Sequence, residues 1–403
     1  MSDEQKPGQG WRPRTRGMIE RSIIRSDDWV DAAFDRLNTR FGRHRPQHIA
    51  AYRGFADAQG VELLGRVLAQ KPLGGPGEKD GWWENLLNTY RRFDTDEVPR
   101  VPLLTSFRGM RFDTTTDHEG YYSATFAPTE AATDALWAEA RVTLQDGALD
   151  TPQPVLQVLP TAKFGIISDI DDTILQSSIT DWKVAAQLVF LGNARTRKPL
   201  LGVAKLYAAL QADRNPLFYV SSSPWNLYDL LDDFLELNQI PAGPIFLRDL
   251  GTDTGKFIKT QGHGHKLDRA RMLIQRNPHM RWVLLGDSGQ ADAELYAAAA
   301  QEFGDRIAAI YIRDVDPDVD SPLDVGVDGY IEKVAGAKVP MLRAKDSVAI
   351  AEHAASIGLI DAAAIPAIVA EVHKDAQRPT LGEAAIEEAV EQVKPDASKS
   401  DGG

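Results

Sequence analysis

The chain contains no cysteine, so neither a disulfide framework nor a thiolate metal site is available to it. It also lacks any apolar run approaching the roughly 20 residues that a membrane-spanning helix needs. Its opening stretch, MSDEQKPGQGWRPRTRG, has no apolar core of the kind a secretory signal carries. Positive charge is in deficit: 45 Lys and Arg stand against 58 Asp and Glu, a formal net charge of −13. Such a balance disfavours broad binding to nucleic acid or to an anionic membrane, although it permits a local basic patch. No internal repeat is visible. What is present is ordinary globular material: 403 residues, 43% hydrophobic and 26% charged, long enough for two or three domains. The expected location is cytoplasmic, with peripheral membrane contact through one patch taken up below.

Texture divides the chain. Residues 1–17 read as a disordered leader. Over 18–47, Ile19, Ile23, Ile24, Trp29, Val30, Ala33, Phe34 and Leu37 recur at helical spacing, which predicts an amphipathic packing helix. From 48 to 150, short stretches such as VELLGRVLA, VPLLTSFRG and YYSATFAP alternate with turn signals, the pattern of a smaller β-sandwich-like domain. An insert at 81–93 breaks that pattern with a helical look, and its Trp82 and Trp83 suit core or inter-domain packing better than an exposed surface. From 151 to 345 apolar strands alternate with amphipathic helices, which implies a parallel sheet covered on both faces. The segments 346–376 read as C-terminal helices and 377–403 as a disordered tail.

In parallel α/β sheets, ligands sit at the carboxyl ends of the strands, so the polar residues that end each apolar run carry the argument. The first such strand ends in Ser168-Asp169-Ile170-Asp171-Asp172-Thr173. Three carboxylates in four positions repel one another unless a cation sits among them. Oxygen donors without Cys or His suit Mg²⁺. The second strand ends in Ser221, Ser222 and Ser223 ahead of a helix, an arrangement that can hold an anion on hydroxyls and free N–H groups. Lys266 follows a glycine-rich loop and opens another helix. Finally, WVLL runs into Gly286, Asp287 and, five residues later, Asp292. Each piece alone has a plain structural use, as a helix cap or a solvated charge; four of them at successive strand ends in one α/β unit point to a single site.

The order Asp-x-Asp-x-Thr, Ser, Lys, Gly-Asp-x-x-x-x-Asp resembles the four-motif signature of the haloacid dehalogenase superfamily. The longer words DIDDTI, YVSSSPWNLYDLL, GHKLDRARMLI and LLGDSGQADAELY resemble the catalytic domain of the actin-patch-type phosphatidate phosphatases, and the upstream AYRGFA and GRVLAQKP resemble the amino-terminal part of bacterial relatives. The resemblance implies a Rossmann-like parallel sheet of the haloacid dehalogenase type. It implies a Mg²⁺-dependent phosphatase in which Asp169 attacks phosphorus and Asp171 acts as general acid and base. Mg²⁺ would be held by Asp169, the Asp171 carbonyl and Asp287. Ser221, with Ser222 nearby, and Lys266 would hold the phosphoryl group, while Thr173 and Asp292 would support the loop and the metal shell.

Substrate identity rests on thinner ground. The segments after the first and second motifs are too short for a large cap domain, which favours a phosphate presented on something bulky, such as a lipid surface. The stretch at 182–198, WKVAAQLVFLGNARTRK, joins apolar bulk to Arg195, Arg197 and Lys198 as an interfacial anchor does; a core helix with a solvated basic end is the plainer account. Phosphatidate, cleaved to diacylglycerol, is the expected substrate. A soluble metabolite or a nucleic-acid end, and a non-catalytic adaptor built on the β-rich domain, are the alternatives.

Overall fold

The computed structural model describes residues 47–69, 98–170, 200–248, 264–288, 291–315 and 322–377. The expected leader, the helix at 18–41, the insert with Trp82 and Trp83, Asp171, Thr173, the 182–198 segment and the tail from 378 lie outside these residues.

The amino-terminal unit is one eight-stranded sheet. Its strands are β1 (Gln47–Ala51), β2 (Gly54–Asp57), β3 (Gly60–Ala69), β4 (Pro102–Phe107), β5 (Met110–Thr115), β6 (Tyr121–Phe126), β7 (Trp137–Leu144) and β8 (Asp150–Gln157). The main path is β1-β3-β2-β8-β7-β4-β5, with β6 paired to β3 off it. All pairs are antiparallel except β2 with β8. Alternation along β3 and β6 turns Val61, Leu63, Tyr122 and Ala124 inward and leaves intervening residues nearer solvent. The sheet runs to Gln157, past the expected boundary at 150.

The second sheet has six strands, all parallel, in the order β11-β10-β9-β12-β13-β14. They are β9 (Gly165–Asp169), β10 (Leu217–Pro224), β11 (Ile245–Arg248), β12 (Trp282–Asp287), β13 (Ile307–Arg313) and β14 (Met341–Ala344). Helices cover both faces, so β9, β12 and β13 are buried along their whole length. Among the described residues these are α1 (Val203–Gln211), α2 (Tyr228–Leu237), α3 (Gly264–Arg276), α4 (Asp292–Phe303), α5 (Pro322–Ala335), α6 (Ser347–Ser356) and α7 (Ile365–Ala376). Ile166, Tyr219, Leu285 and Tyr311 pack with α1, α2, α6 and α7 on one face. Ile167, Phe218, Leu284 and Ile310 pack with α3, α4 and α5 on the other.

Two contacts lock the sheets together. Phe55 of β2 enters the second core, meeting Phe218 and Phe246 edge-on at 5.5 and 5.9 Å. Behind it, Arg276 at the end of α3 donates two hydrogen bonds to Asp57, at 2.7 and 2.8 Å. On the other face, Tyr52 stacks on Tyr228 with ring centroids 3.8 Å apart, and Trp225 stacks on Tyr52 at 5.6 Å. The Tyr228 hydroxyl accepts from the Arg53 backbone at 2.7 Å, and the Arg53 side chain pairs with Asp232. Trp225 directly follows the serine-rich end of β10, so this stack also fixes where that strand end points.

The Asp57 side chain is fully buried, with Arg276 as its guanidinium partner. Removing the arginine strands a buried carboxylate, which costs about 3–5 kcal/mol. Arg276→Ala is therefore expected to lower the urea-unfolding free energy by that amount; a loss below about 1 kcal/mol would show that the pair does not hold the sheets together.

Candidate active site

Strand register brings the site together. Asp169, the last residue of β9, lies opposite Val220 of β10, which places Ser221 one residue beyond it. On the other side Ser168 lies opposite Leu285 of β12, and Asp287 ends that strand. Lys266 sits in the first turn of α3 and Asp292 opens α4. Asp169, Ser221, Lys266, Asp287 and Asp292 are all fully buried.

The Lys266 ammonium joins them, lying 2.9 Å from Asp169 Oδ1 and 2.8 Å from Asp292 Oδ1. Burial alone would lower its pKa, but the carboxylates of Asp169, Asp292 and Asp287, with the hydrogen bond to Asp292, more than offset this and raise it above the ordinary lysine value. Lys266 is a fixed cation. The second oxygen of Asp292 accepts a long, 3.4 Å hydrogen bond from the Asp287 backbone N–H. Asp292 thus touches the lysine with one oxygen and the Asp287 backbone with the other. Gly286 makes that approach possible: a Cβ there would lie 2.6 Å from Asp292 Cβ and 2.8 Å from the Tyr296 ring.

The donor set fits a hard divalent cation. Asp169, Asp287 and Asp292 each offer a carboxylate oxygen, and these oxygens lie within 4.8 Å of one another. One lysine among three buried carboxylates leaves an excess of negative charge that a dication would balance, and oxygen-only donors suit Mg²⁺ rather than zinc.

The second strand end is tightly turned. Ser221 Oγ accepts from the Ser223 backbone N–H at 3.0 Å; Ser222, beside it, is half-buried. Three further residues belong to the site and carry no signal in the sequence pattern. The Ser168 hydroxyl donates to the Asp169 carbonyl at 2.7 Å. Its one proton being so used, the 2.7 Å contact with Tyr207 must be a bond donated by the tyrosine. Tyr207 therefore steadies the backbone of Asp169 from α1. The third is His265, beside Lys266, with the Ser221 backbone within reach of its ring. Burial, then the charges of Lys266 and Arg269, lower its pKa to about 4, with Arg248 adding a smaller push. Arg248 ends β11 opposite Pro224 of β10, so this basic group flanks the serine-rich strand end.

What these elements define is a parallel α/β unit with a buried, lysine-braced carboxylate site at its strand ends. Residues 164–314 match the family model described as phosphatidate phosphatase APP1, catalytic domain. The chain is 31% identical over 247 residues to phosphatidate phosphatase APP1 of Saccharomyces cerevisiae, covering 57% of this chain and 41% of that protein. It is 27% identical over 175 residues to an uncharacterized protein of Schizosaccharomyces pombe, covering 43% and 29% respectively. The chain thus spans less than half the length of these curated relatives; the segment that matches the family model includes the strand ends just described. A solved phosphoserine phosphatase from T. onnurineus aligns over 42% of this chain and 94% of its own at 16% identity, with a TM-score of 0.23, too low to carry an argument.

Two outcomes follow from this electrostatic arrangement. Lys266→Met leaves three buried carboxylates without their cation, and the metal-free protein is expected to lose about 3–5 kcal/mol of unfolding free energy. Added Mg²⁺ should restore part of it; a variant as stable as the parent without metal would refute the bracing role. The second concerns acid. Between pH 6.5 and about 4 the unfolded chain protonates His265 and the folded chain does not. The associated stability is present above pH 6.5 and is lost as pH falls through that window. His265→Phe should flatten stability against pH there; an unchanged slope between parent and variant would show that the imidazole is not held neutral.

Proposed function

We propose that the chain is a Mg²⁺-dependent phosphatase that hydrolyses phosphatidate to diacylglycerol through an aspartyl-phosphate. The observation that carries this reading is Asp169. It is a carboxylate at the central strand end, held by Lys266 and grouped with Asp287, inside the segment that matches the APP1 catalytic domain. On this reading the second sheet is a Rossmann-like sheet of the haloacid dehalogenase type, and the first is its sandwich-like companion.

In the first half-reaction an Asp169 carboxylate oxygen attacks phosphorus, the ester P–O bond breaks, and Asp171 gives its proton to the departing alkoxide. In the second, water attacks the same phosphorus, its proton passes to Asp171, and the P–O bond to Asp169 breaks to release inorganic phosphate. Ser221 and Ser222, with backbone N–H groups at that strand end, bind the phosphoryl oxygens, and Lys266 offsets their charge. Asp169, the Asp171 carbonyl and Asp287 are the residues that would hold Mg²⁺, which supplies charge neutralisation between nucleophile and phosphate. Asp292 holds Lys266 and the Asp287 backbone, and Thr173 fixes the loop that carries Asp171.

No helix among the described residues is long and apolar enough to cross a membrane. A lipid substrate would be met at the surface, with the 182–198 segment as the contact. Arg195, Arg197 and Lys198 would contribute about 1 kcal/mol each at an anionic interface.

The test is a panel of phosphomonoesters, including phosphatidate in mixed micelles, with Mg²⁺ and with chelator. Phosphatidate should be hydrolysed best, chelator should abolish turnover, and Asp169→Asn should lose at least about a thousandfold in kcat while remaining folded. Full activity in chelator would sink the metal assignment. A soluble phosphomonoester preferred over phosphatidate would move the substrate to the metabolite class.

A further inference from the structure

α1 cannot fix its own beginning. Its N-cap residue is Gly202, which has no side chain to cap with, and its first turn holds no acidic residue. The first N–H groups of a helix have no partner within it, so the cap must come from elsewhere. Asp375, in the last turn of α7, accepts the Gly202 N–H at 2.9 Å. This carboxylate is buried, and its charge faces the positive end of the helix dipole.

The same turn is held from a second side. The Leu201 carbonyl accepts from the Ser347 hydroxyl at 2.6 Å and from the Arg313 guanidinium at 3.4 Å, and that guanidinium also reaches Ser347 Oγ at 3.3 Å. Gly202 has a left-handed backbone, φ +75°, and no space around it. A Cβ there would lie 2.5 Å from Val372 Cγ2 of α7 and 3.2 Å from Ser347 Cβ of α6. Two helices thus press on one residue, and both lie beyond residues 164–314, the segment that matches the catalytic-domain model.

What α1 carries gives this clamp its consequence. Tyr207, on the second turn, donates to Ser168, whose own hydroxyl holds the Asp169 carbonyl, each contact being 2.7 Å. Tyr207, Ser168 and Asp169 are all buried. A helix moves as a rigid rod over so short a length, so a shift at Gly202 is passed to the tyrosine hydroxyl and from there to the strand end. Attack on phosphorus is sensitive to such shifts: misplacement by about 1 Å can cost on the order of a hundredfold in rate.

We propose that Asp375 and Ser347 are positioning residues for Asp169: α6 and α7 fix the start of α1, and α1 fixes the Asp169 backbone through Tyr207 and Ser168. The assignment rests on the phosphatase reading, and it makes two helices outside the matched segment determinants of kcat.

The test uses the full chain with Mg²⁺ and para-nitrophenyl phosphate, assayed well below the unfolding midpoint of every variant. Tyr207→Phe, which removes only the hydroxyl, should lower kcat about tenfold while KM stays within about twofold. Asp375→Ala should lower kcat about fivefold with the same small change in KM. Asp375→Asn, which keeps an oxygen for the Gly202 N–H, should recover most of that loss. The double variant of Tyr207→Phe with Asp375→Ala should be no slower than Tyr207→Phe alone, because the clamp acts through that hydroxyl. Losses that multiply to about fiftyfold would overturn the relay, as would a kcat in Asp375→Ala equal to the parent's. Should Asp375→Ala fail to fold, the same cycle with Ser347→Ala decides by the same criteria. Multiplying losses in an active parent remove only the positioning role. A parent that hydrolyses no phosphomonoester removes the phosphatase reading and this role with it.

Discussion

The second sheet is organised around one buried cation. Lys266 has no exposed surface and contacts Asp169 and Asp292, which come from two different elements. A lone ammonium in that interior would be expelled or neutralised, and carboxylates packed at the ends of adjacent strands would repel each other. Each side makes the other tolerable. The contact also ties α3 to β9 and α4, so the helix that supplies the cation is aligned with the strand that ends in Asp169. Gly286 and the Tyr207–Ser168 hydroxyl pair act in the same service: one lets Asp292 approach the β12 backbone, the other steadies the Asp169 backbone.

The first sheet bears on the site without contributing a motif to it. Phe55 fills a gap against Phe218 and Phe246, and the Tyr52–Tyr228–Trp225 stack holds the chain immediately after Ser221, Ser222 and Ser223. The ion pairs on its border, Arg276 with Asp57 and Arg53 with Asp232, come from α3 and α2. α3 therefore carries Lys266 at its start and the main inter-sheet arginine at its end.

Much of this was legible in the sequence because burial on both faces leaves an unmistakable trace. β9, β12 and β13 are continuous apolar runs, and the residue types at their ends cannot be there for packing. The alternating stretches upstream correspond to β3, β4, β6 and β7. β8 was not legible, since Pro152 and Pro154 argue against a central strand. The structure reconciles them: over those positions β8 pairs only with β7, and its pairing with β2 begins at Val155. α5, which contains Gly326 and Gly329, and the four-residue β14 were also missed. α5 is long, but two interior glycines break up its apolar periodicity, and β14 is too short to stand out from a polar connection. Tyr207 and His265 escaped for a different reason. Each looks in sequence like a neighbour of something else, one an apolar position of α1 and the other a residue before the motif lysine. Their contacts exist only in three dimensions.

The claim that Asp169 is the attacking group can be examined without relying on a variant that might perturb the carboxylate cluster. The full chain would be mixed with phosphatidate micelles and Mg²⁺, quenched in acid during turnover, and reduced with borohydride, which converts an acyl phosphate to the alcohol. Peptide mass spectrometry would then locate the reduced side chain. The account predicts homoserine at position 169, formed only when substrate and metal are both present. Turnover that leaves Asp169 unmodified under trapping, or a trapped phosphoryl group on Asp171, Ser221 or His265, would contradict it.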